Sequence, residues 1–300
     1  MNKIKKINLS PAAVRRLRRV GLAAAILLAC ALLVLFLLRP RGVHTYLIYG
    51  VDSYGSLKEN GRSDAMMLVQ LDHTHGTVSV VSLARDMLVD NGRGARTKLN
   101  TVIRKEGTDE ERSQRLCDTI ESNFGVHPEG WFRINFSSLV SLVNAIGGVN
   151  VELTAEEAAY IDGNAGIWPG YPLKEGTCRL CGGQALSFVR CRHLDDDLGR
   201  GQRQSRFASA LAAELKHMSP LRVLDLYNSM NHAWVSSLSA GEQLELVWQA
   251  LWSCRDRFVR ISVPFEGTWR FGKASDTDGI LPDLAENRRL LLEALGRDAE

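Results

Sequence analysis

Residues 45–52 (TYLIYGVD) and 62–86 (RSDAMMLVQLDHTHGTVSVVSLARD) decide the fold of this chain. Thr45 to Val51, Ala65 to Leu71 and Thr77 to Leu83 are short apolar runs bounded by polar or glycine-containing breaks, the pattern of buried strands. His73-Thr74-His75-Gly76 supplies the turn of a hairpin between the second and third runs. Neither histidine has a metal-binding constellation beside it, so both are expected as solvated turn residues.

Working outward, Asp109 to Phe124 carries Leu116, Ile120 and Phe124 at four-residue intervals, one face of an amphipathic helix stopped by Gly125. Trp131 to Phe136 reads as a strand, Ser137 to Ile146 as a helix, and Val149 to Leu153 as a further strand after Gly147-Gly148. This alternation predicts an α/β domain. A polar, glycine-rich stretch from Asp162 to Gly176 suggests a mobile flap. Beyond it, Gln184 to Phe188 is expected as a short helix, Val189 to Arg192 as an extended segment and Gly201 to His217 as a longer helix. Helices at Ala240 to Cys254 and Pro282 to Leu295 flank a strand at Phe258 to Val263.

The N-terminal side has a different character. Nineteen residues from Val20 to Leu38 carry no charge, and a helix of that length spans roughly the ~30 Å hydrocarbon core of a bilayer. Seven basic residues precede it and no acidic residue occurs before Asp52, which orients the N-terminus toward the cytoplasm. A cleaved signal peptide is the competing reading, but the run is long for one and lacks small residues at a cleavage site. Leu27-Leu28-Ala29-Cys30 faintly resembles a lipoprotein box, yet apolar residues continue to Leu38. The expected organisation is a basic cytoplasmic segment 1–19, a transmembrane anchor 20–38, a linker 39–44 and an extracytoplasmic domain 45–300, placing the chain in the cell membrane.

Nine of the 37 Lys and Arg lie at or before Arg41, leaving 28 against 34 Asp and Glu, so the net charge of +3 belongs to the N-terminus. The outer domain is mildly acidic and is not expected to bind nucleic acid. Cys117, Cys178, Cys181, Cys191 and Cys254 fall in it; an extracytoplasmic setting permits a disulfide among them without fixing the connectivity. One C-x-x-C, at Cys178 to Cys181, has no partner pair to complete a zinc site.

Asp52, Arg62 and Asp64 bracket a polar loop between two apolar runs, putting two carboxylates beside a guanidinium. A hard divalent cation wants carboxylate oxygens, and phosphate oxygens are well met by arginine's planar donor fork. An extended Val189 to Arg192 would turn Arg190 and Arg192 to one side and Cys191 to the other. A helix starting near Arg200 would add Arg200, Arg203 and Gln204 at a terminus that favours anions.

Gly50-Val51-Asp52-Ser53, Arg62-Ser63-Asp64-Ala65-Met66-Met67, Ser82-Leu83-Ala84-Arg85-Asp86 and Lys98-Leu99-Asn100 together resemble the LytR-CpsA-Psr family of cell-wall glycopolymer ligases. Gly183-Gln184-Ala185-Leu186, Phe188-Val189-Arg190-Cys191-Arg192 and Leu198-Gly199-Arg200-Gly201-Gln202-Arg203-Gln204 agree with it. The chain departs at Ala65, where a threonine is usual, at Ala84, where a proline is usual, and at Gly183, where glutamate is frequent.

The resemblance implies an α/β fold with a central mixed β-sheet flanked by helices, a hydrophobic tunnel for a polyprenyl tail and a polar mouth for its pyrophosphate. It implies Mg2+ at Asp52 and Asp64, and a clamp made by Arg62, Arg85, Arg190, Arg192 and Gln204. Lys98 and Asn100 match a further motif, and Arg200 joins them from its helix position. Leu47, Ile48, Met66, Met67 and Leu68 are candidate tunnel residues. The implied reaction moves a glycopolymer from a polyprenyl-pyrophosphate donor to a peptidoglycan acceptor, with Asp52 and Asp86 both open as general base. A lipid pyrophosphatase and a non-catalytic envelope-binding or regulatory protein are the alternatives.

Overall fold

The computed structural model describes residues 38–52, 62–92, 94–104, 106–163, 171–191, 197–230, 232–253, 257–274 and 276–297, without the side chains of Asp197 and Leu198. The expected basic segment 1–19 and residues 20–37 of the expected anchor lie outside these, as do Arg192, Cys254 and 164–170 of the expected flap.

From Gly42 onward the chain forms one unit. In chain order it comprises β1 (Val43–Val51), β2 (Ser63–Asp72), β3 (Thr77–Leu83), β4 (Leu88–Asp90), β5 (Arg96–Lys98), a 3-10 turn (Leu99–Arg104) and α1 (Asp109–Phe124). Next come β6 (Gly130–Ile134), α2 (Phe136–Ala145), β7 (Val149–Leu153), α3 (Ala155–Gly163), β8 (Gly176–Leu180), α4 (Gly182–Arg190) and α5 (Asp197–Lys216). The chain continues through α6 (Pro220–Met230), β9 (Val235–Ser236), α7 (Ala240–Trp252), β10 (Arg257–Val263), β11 (Trp269–Ala274), β12 (Thr277–Pro282) and α8 (Leu284–Ala294).

Six strands make the central mixed sheet in the order β10-β3-β2-β1-β6-β9. β1 runs antiparallel to β2 and parallel to β6, and β3 runs antiparallel to β2 and parallel to β10. The C-terminal ends of β1, β3, β6 and β10 therefore emerge along one edge, beside the start of β2. Open α/β sheets place ligands at such an edge.

The β2–β3 hairpin is closed by Asp72, whose carboxylate accepts the backbone N–H groups of Thr74 and His75 and contacts the His75 ring at 2.7 Å. Burial alone would raise the Asp72 pKa, but those hydrogen bonds hold it below the usual carboxylate range.

Alternation along β1 and β2 gives the sheet two unlike faces. Leu47, Tyr49, Met66 and Leu68 point to one side and are fully buried with Leu116, Ile120, Phe124 and Leu291, so α1 and α8 close that core. Ile48, Met67 and Val69 point to the other side, with Phe132 and Ile134 of β6, and all five are only partly buried. A second core gathers Val143, Val151, Ile161, Phe188 and Phe207 from α2, β7, α3, α4 and α5.

Several expected boundaries move for local reasons. The strand at Trp131 ends at Ile134, because Asn135 caps α2 by accepting the Ser138 N–H at 2.9 Å and the helix starts at Phe136. Pro282 closes β12 rather than opening the last helix, which Asp283 caps instead. Val189 and Arg190 are not extended as expected: α4 runs through Arg190. Ala185, Leu186 and Phe188 bury at helical spacing, and Gly182 donates its N–H to Asn144 Oδ1 at 2.8 Å, so docking on α2 sustains the helix past Phe188. α5 likewise begins at Asp197, three residues ahead of Arg200. Cys117, Cys178, Cys181 and Cys191 are free thiols, and burial pushes Cys117 up to about 12.

Candidate functional site

The edge gathered by the sheet carries a continuous chain of opposite charges. Arg85, immediately beyond β3, donates from Nη1 to Asp64 Oδ1 at 3.0 Å and places Nε 3.2 Å from Asp86 Oδ2. Lys98 Nζ, at the end of β5, lies 3.1 Å from Asp86 Oδ1. At the other end, Arg200 Nη2 of α5 stands 3.7 Å from Asp64 Oδ2. Asp64 and Arg200 are buried, whereas Arg85 and Lys98 are partly open. The sequence Lys98–Asp86–Arg85–Asp64–Arg200 thus carries three cations against two carboxylates, an excess that suits an anionic ligand.

Local folding explains each position. The hairpins bring Asp64 and Arg85 to the same edge, because β2 starts where β3 ends. Asn100 is tied in by its backbone, which donates to the Arg85 carbonyl at 3.0 Å, and Leu99 donates to the Met87 carbonyl at 2.9 Å. The buried Asn100 side-chain oxygen makes no hydrogen bond among the described residues, nor do the buried hydroxyls of Ser82 at the end of β3 and Ser205 on α5.

The other expected site residues form two groups. Asp52 and Arg62 are exposed at the ends of β1 and β2 and are joined through their backbones, Asp52 N–H to Arg62 carbonyl, at 3.3 Å. Arg190 is the last residue of α4, and its guanidinium carbon sits 4.3 Å from the centre of the Phe136 ring, where the strand β6 gives way to α2. Arg190 is helical, so the strand alternation expected of it does not hold; Arg192 lies outside the described residues. Gln204 braces α4, donating to the Val189 carbonyl at 3.5 Å. Arg203, 2% exposed, donates to the Cys191 carbonyl at 2.6 Å and ties the end of α4 to α5. Cys191 is buried.

Sequence reasoning missed two parts of this arrangement. Asp86 entered only as a candidate base, although its place after Arg85 in the motif could have signalled a bridge. Phe136, the platform under Arg190, carries no chemical signal of its own.

A magnesium site can be tested on donor chemistry. No cluster of three or more ligating side chains forms among the described residues, so a protein cage is not what the residues offer. Mg2+ is commonly held by one or two carboxylates while phosphate oxygens and water complete its shell. Asp52 and Asp64 on neighbouring strand ends fit that mode.

The structure is an α/β sheet with an arginine–carboxylate cluster at its strand ends, beside a partly covered apolar layer. Residues 37–277 match the LytR_cpsA_psr family, and the chain belongs to that family. It is 27% identical over 186 residues to the polyisoprenyl-teichoic acid–peptidoglycan teichoic acid transferase TagV of Bacillus subtilis, covering 60% of this chain and 45% of that protein. It is 31% identical over 175 residues to the TagU transferase of Enterococcus faecalis, covering 56% and 52%. The chain therefore spans about half the length of the curated relatives it matches. Among solved structures, TagT with bound octaprenyl pyrophosphate lipid superposes with a TM-score of 0.63 at 22% identity, covering 85% of this chain and 91% of that one. That likeness speaks to the shared fold.

Proposed function

We propose that this chain is a membrane-anchored phosphotransferase that moves a glycopolymer from a polyprenyl-pyrophosphate carrier to a hydroxyl of peptidoglycan. The observation that carries this reading is the ion-pair chain from Lys98 to Arg200, set at the end of a partly covered apolar layer. The names of TagU and TagV, and the octaprenyl pyrophosphate held by TagT, support it. In the proposed organisation, residues 1–19 are cytoplasmic, 20–38 cross the membrane, 39–44 form a linker and 45–300 act outside.

The hydroxyl oxygen of the acceptor attacks the sugar-proximal phosphorus, and the bond from that phosphorus to the bridging oxygen breaks. Polyprenyl phosphate departs with the bonding electron pair, and the hydroxyl proton passes to a base. Arg85, with Arg200 behind it, faces the charge that grows on the departing phosphate, while Arg62 and Arg190 approach from the exposed rim. Preorganised donors of this kind lower the barrier without moving at the moment of reaction. Magnesium bound through Asp52 and Asp64 would supply further neutralisation of phosphate charge. Asp52 and Asp86 stand as the two candidate bases, the first shared with the proposed magnesium and the second held by Arg85 and Lys98.

The polyprenyl tail is assigned to the partly covered sheet face. Of the five apolar residues expected along a tunnel, Leu47, Met66 and Leu68 are in the closed core, so Ile48 and Met67 remain, joined by Val69, Phe132 and Ile134. Full-length protein in detergent, given Mg2+, a lipid-pyrophosphate-linked glycan and peptidoglycan, is expected to yield glycan-linked peptidoglycan. Release of lipid phosphate with no linked product would replace the ligase with a pyrophosphatase.

A further inference from the structure

We propose that the open groove between the β10–β11 loop, the β11–β12 hairpin and the first turn of α8 is the acceptor subsite, and that it takes the uncharged amino-sugar backbone of a peptidoglycan strand. The inference rests on the transferase reading and adds where the second substrate lies.

The groove encloses about 990 Å³ and is lined by Arg96, Glu266, Thr268, Trp269 and Arg270, among others. Trp269 is partly buried and meets Phe271 edge to face, with ring centres 5.1 Å apart. Phe271 is 67% exposed. Phe271 stands outside the groove lining and braces Trp269, whose partly buried ring offers a flat surface on which the C–H faces of pyranose rings stack.

Charge decides between the two carbohydrates of the reaction. Arg96 and Arg270 are outnumbered by three carboxylates, Glu266, Asp283 and Glu286, around the same groove. An anionic phosphate polymer would meet repulsion from this mixture, whereas sugar hydroxyls both donate and accept. Asp283 is occupied in capping α8 and Glu286 by Arg289. Glu266 and Arg270 are exposed and supply one acceptor and one donor group for vicinal hydroxyls.

The groove lies beside the elements that carry the phosphate cluster. Ile280 of β12 donates its N–H to the Asp86 carbonyl at 3.0 Å, and the next residue, Leu281, lines the groove. Arg96 lies two positions before Lys98 on β5, about 7 Å along a strand, and Lys98 holds Asp86. A strand seated in the groove therefore lies next to the elements that hold Lys98 and Asp86.

The test uses the full-length protein in detergent, with calorimetric titration of endopeptidase-released peptidoglycan strands, chitohexaose and poly(glycerol phosphate). Strands and chitohexaose are expected to bind and poly(glycerol phosphate) not to. Trp269→Ala should weaken strand binding, and raise the acceptor KM, at least about tenfold, as loss of an aromatic anchor does, with Trp269→Phe recovering most of it. Arg270→Ala and Glu266→Gln, at exposed positions, should each weaken binding if Trp269→Ala misfolds. Preferential binding of poly(glycerol phosphate), or an acceptor KM unmoved by all these variants, overturns the subsite. Strand binding that is lost in Trp269→Ala, in a protein that transfers nothing, retains the groove and refutes only the transferase reading. Transfer with an unmoved KM does the reverse.

Discussion

Arg85 contacts two carboxylates through different nitrogens, Nη1 toward Asp64 and Nε toward Asp86. That arrangement fixes the plane of the guanidinium, which a single ion pair would leave free to rotate. A lysine offers one compact ammonium and cannot span both partners. Arg85→Ala is expected to lower transfer from a lipid-pyrophosphate donor about 10²- to 10³-fold, the usual cost of losing one preorganised donor. Arg85→Lys should recover little of that loss despite keeping the charge. Steady-state rates of the two variants at saturating donor check this, and near-wild-type turnover in Arg85→Lys would reduce the residue to a point charge. The residues of this cluster were legible because Asp64, Arg85, Lys98 and Arg200 stand in motifs. What could not be read was who holds whom, since a pattern of types along the chain does not tell a phosphate ligand from a strut such as Arg203.

At the scale of elements, α4 shows where periodicity misleads. Val189-Arg190-Cys191-Arg192 alternates apolar and polar residues as a strand would, but four residues are too few to overrule a helix already docked on α2. The docking depends on Gly182. A side chain there would place its Cβ 2.3 Å from the Val140 carbonyl oxygen, a main-chain atom that cannot swing aside. Gly182→Ala is therefore expected to push α4 off α2, destabilise the fold by about 1–3 kcal/mol as overpacking does, and loosen Arg190 from Phe136. Denaturant unfolding measures the first effect, and a raised donor KM the second; unchanged stability would mean that α2 gives way easily. Whereas β7 was legible at its observed bounds, the small strands β4, β5, β8, β11 and β12 escaped sequence reading for a related reason. They are short and partly exposed, so neither length nor alternation separates them from loops, and their registers are set by contacts far away in the chain.

Across the whole molecule, the sheet separates a closed layer from an open one. The three hairpin-forming strands and the α/β class followed from the apolar runs, but those runs are equally apolar on both faces: Leu68 is sealed while Met67 beside it is partly exposed. Only the direction of each side chain relative to α1 and α8 distinguishes them, and that is a property of the assembled layers. The difference makes opposite predictions for neighbouring residues. Leu68→Trp should overfill a packed core and lower stability by about 1–3 kcal/mol. Met67→Trp should be accommodated in the partly covered layer, with little change in the midpoint of thermal unfolding, yet occupy space that an isoprenoid chain needs. Wild-type protein extracted from membranes is expected to carry bound isoprenoid by mass spectrometry, and Met67→Trp to have lost most of it while remaining folded by circular dichroism. If Met67→Trp unfolds as readily as Leu68→Trp, both layers are packed alike and the tail must run elsewhere; if it folds and still retains the lipid, the face over β1, β2 and β6 is not its path.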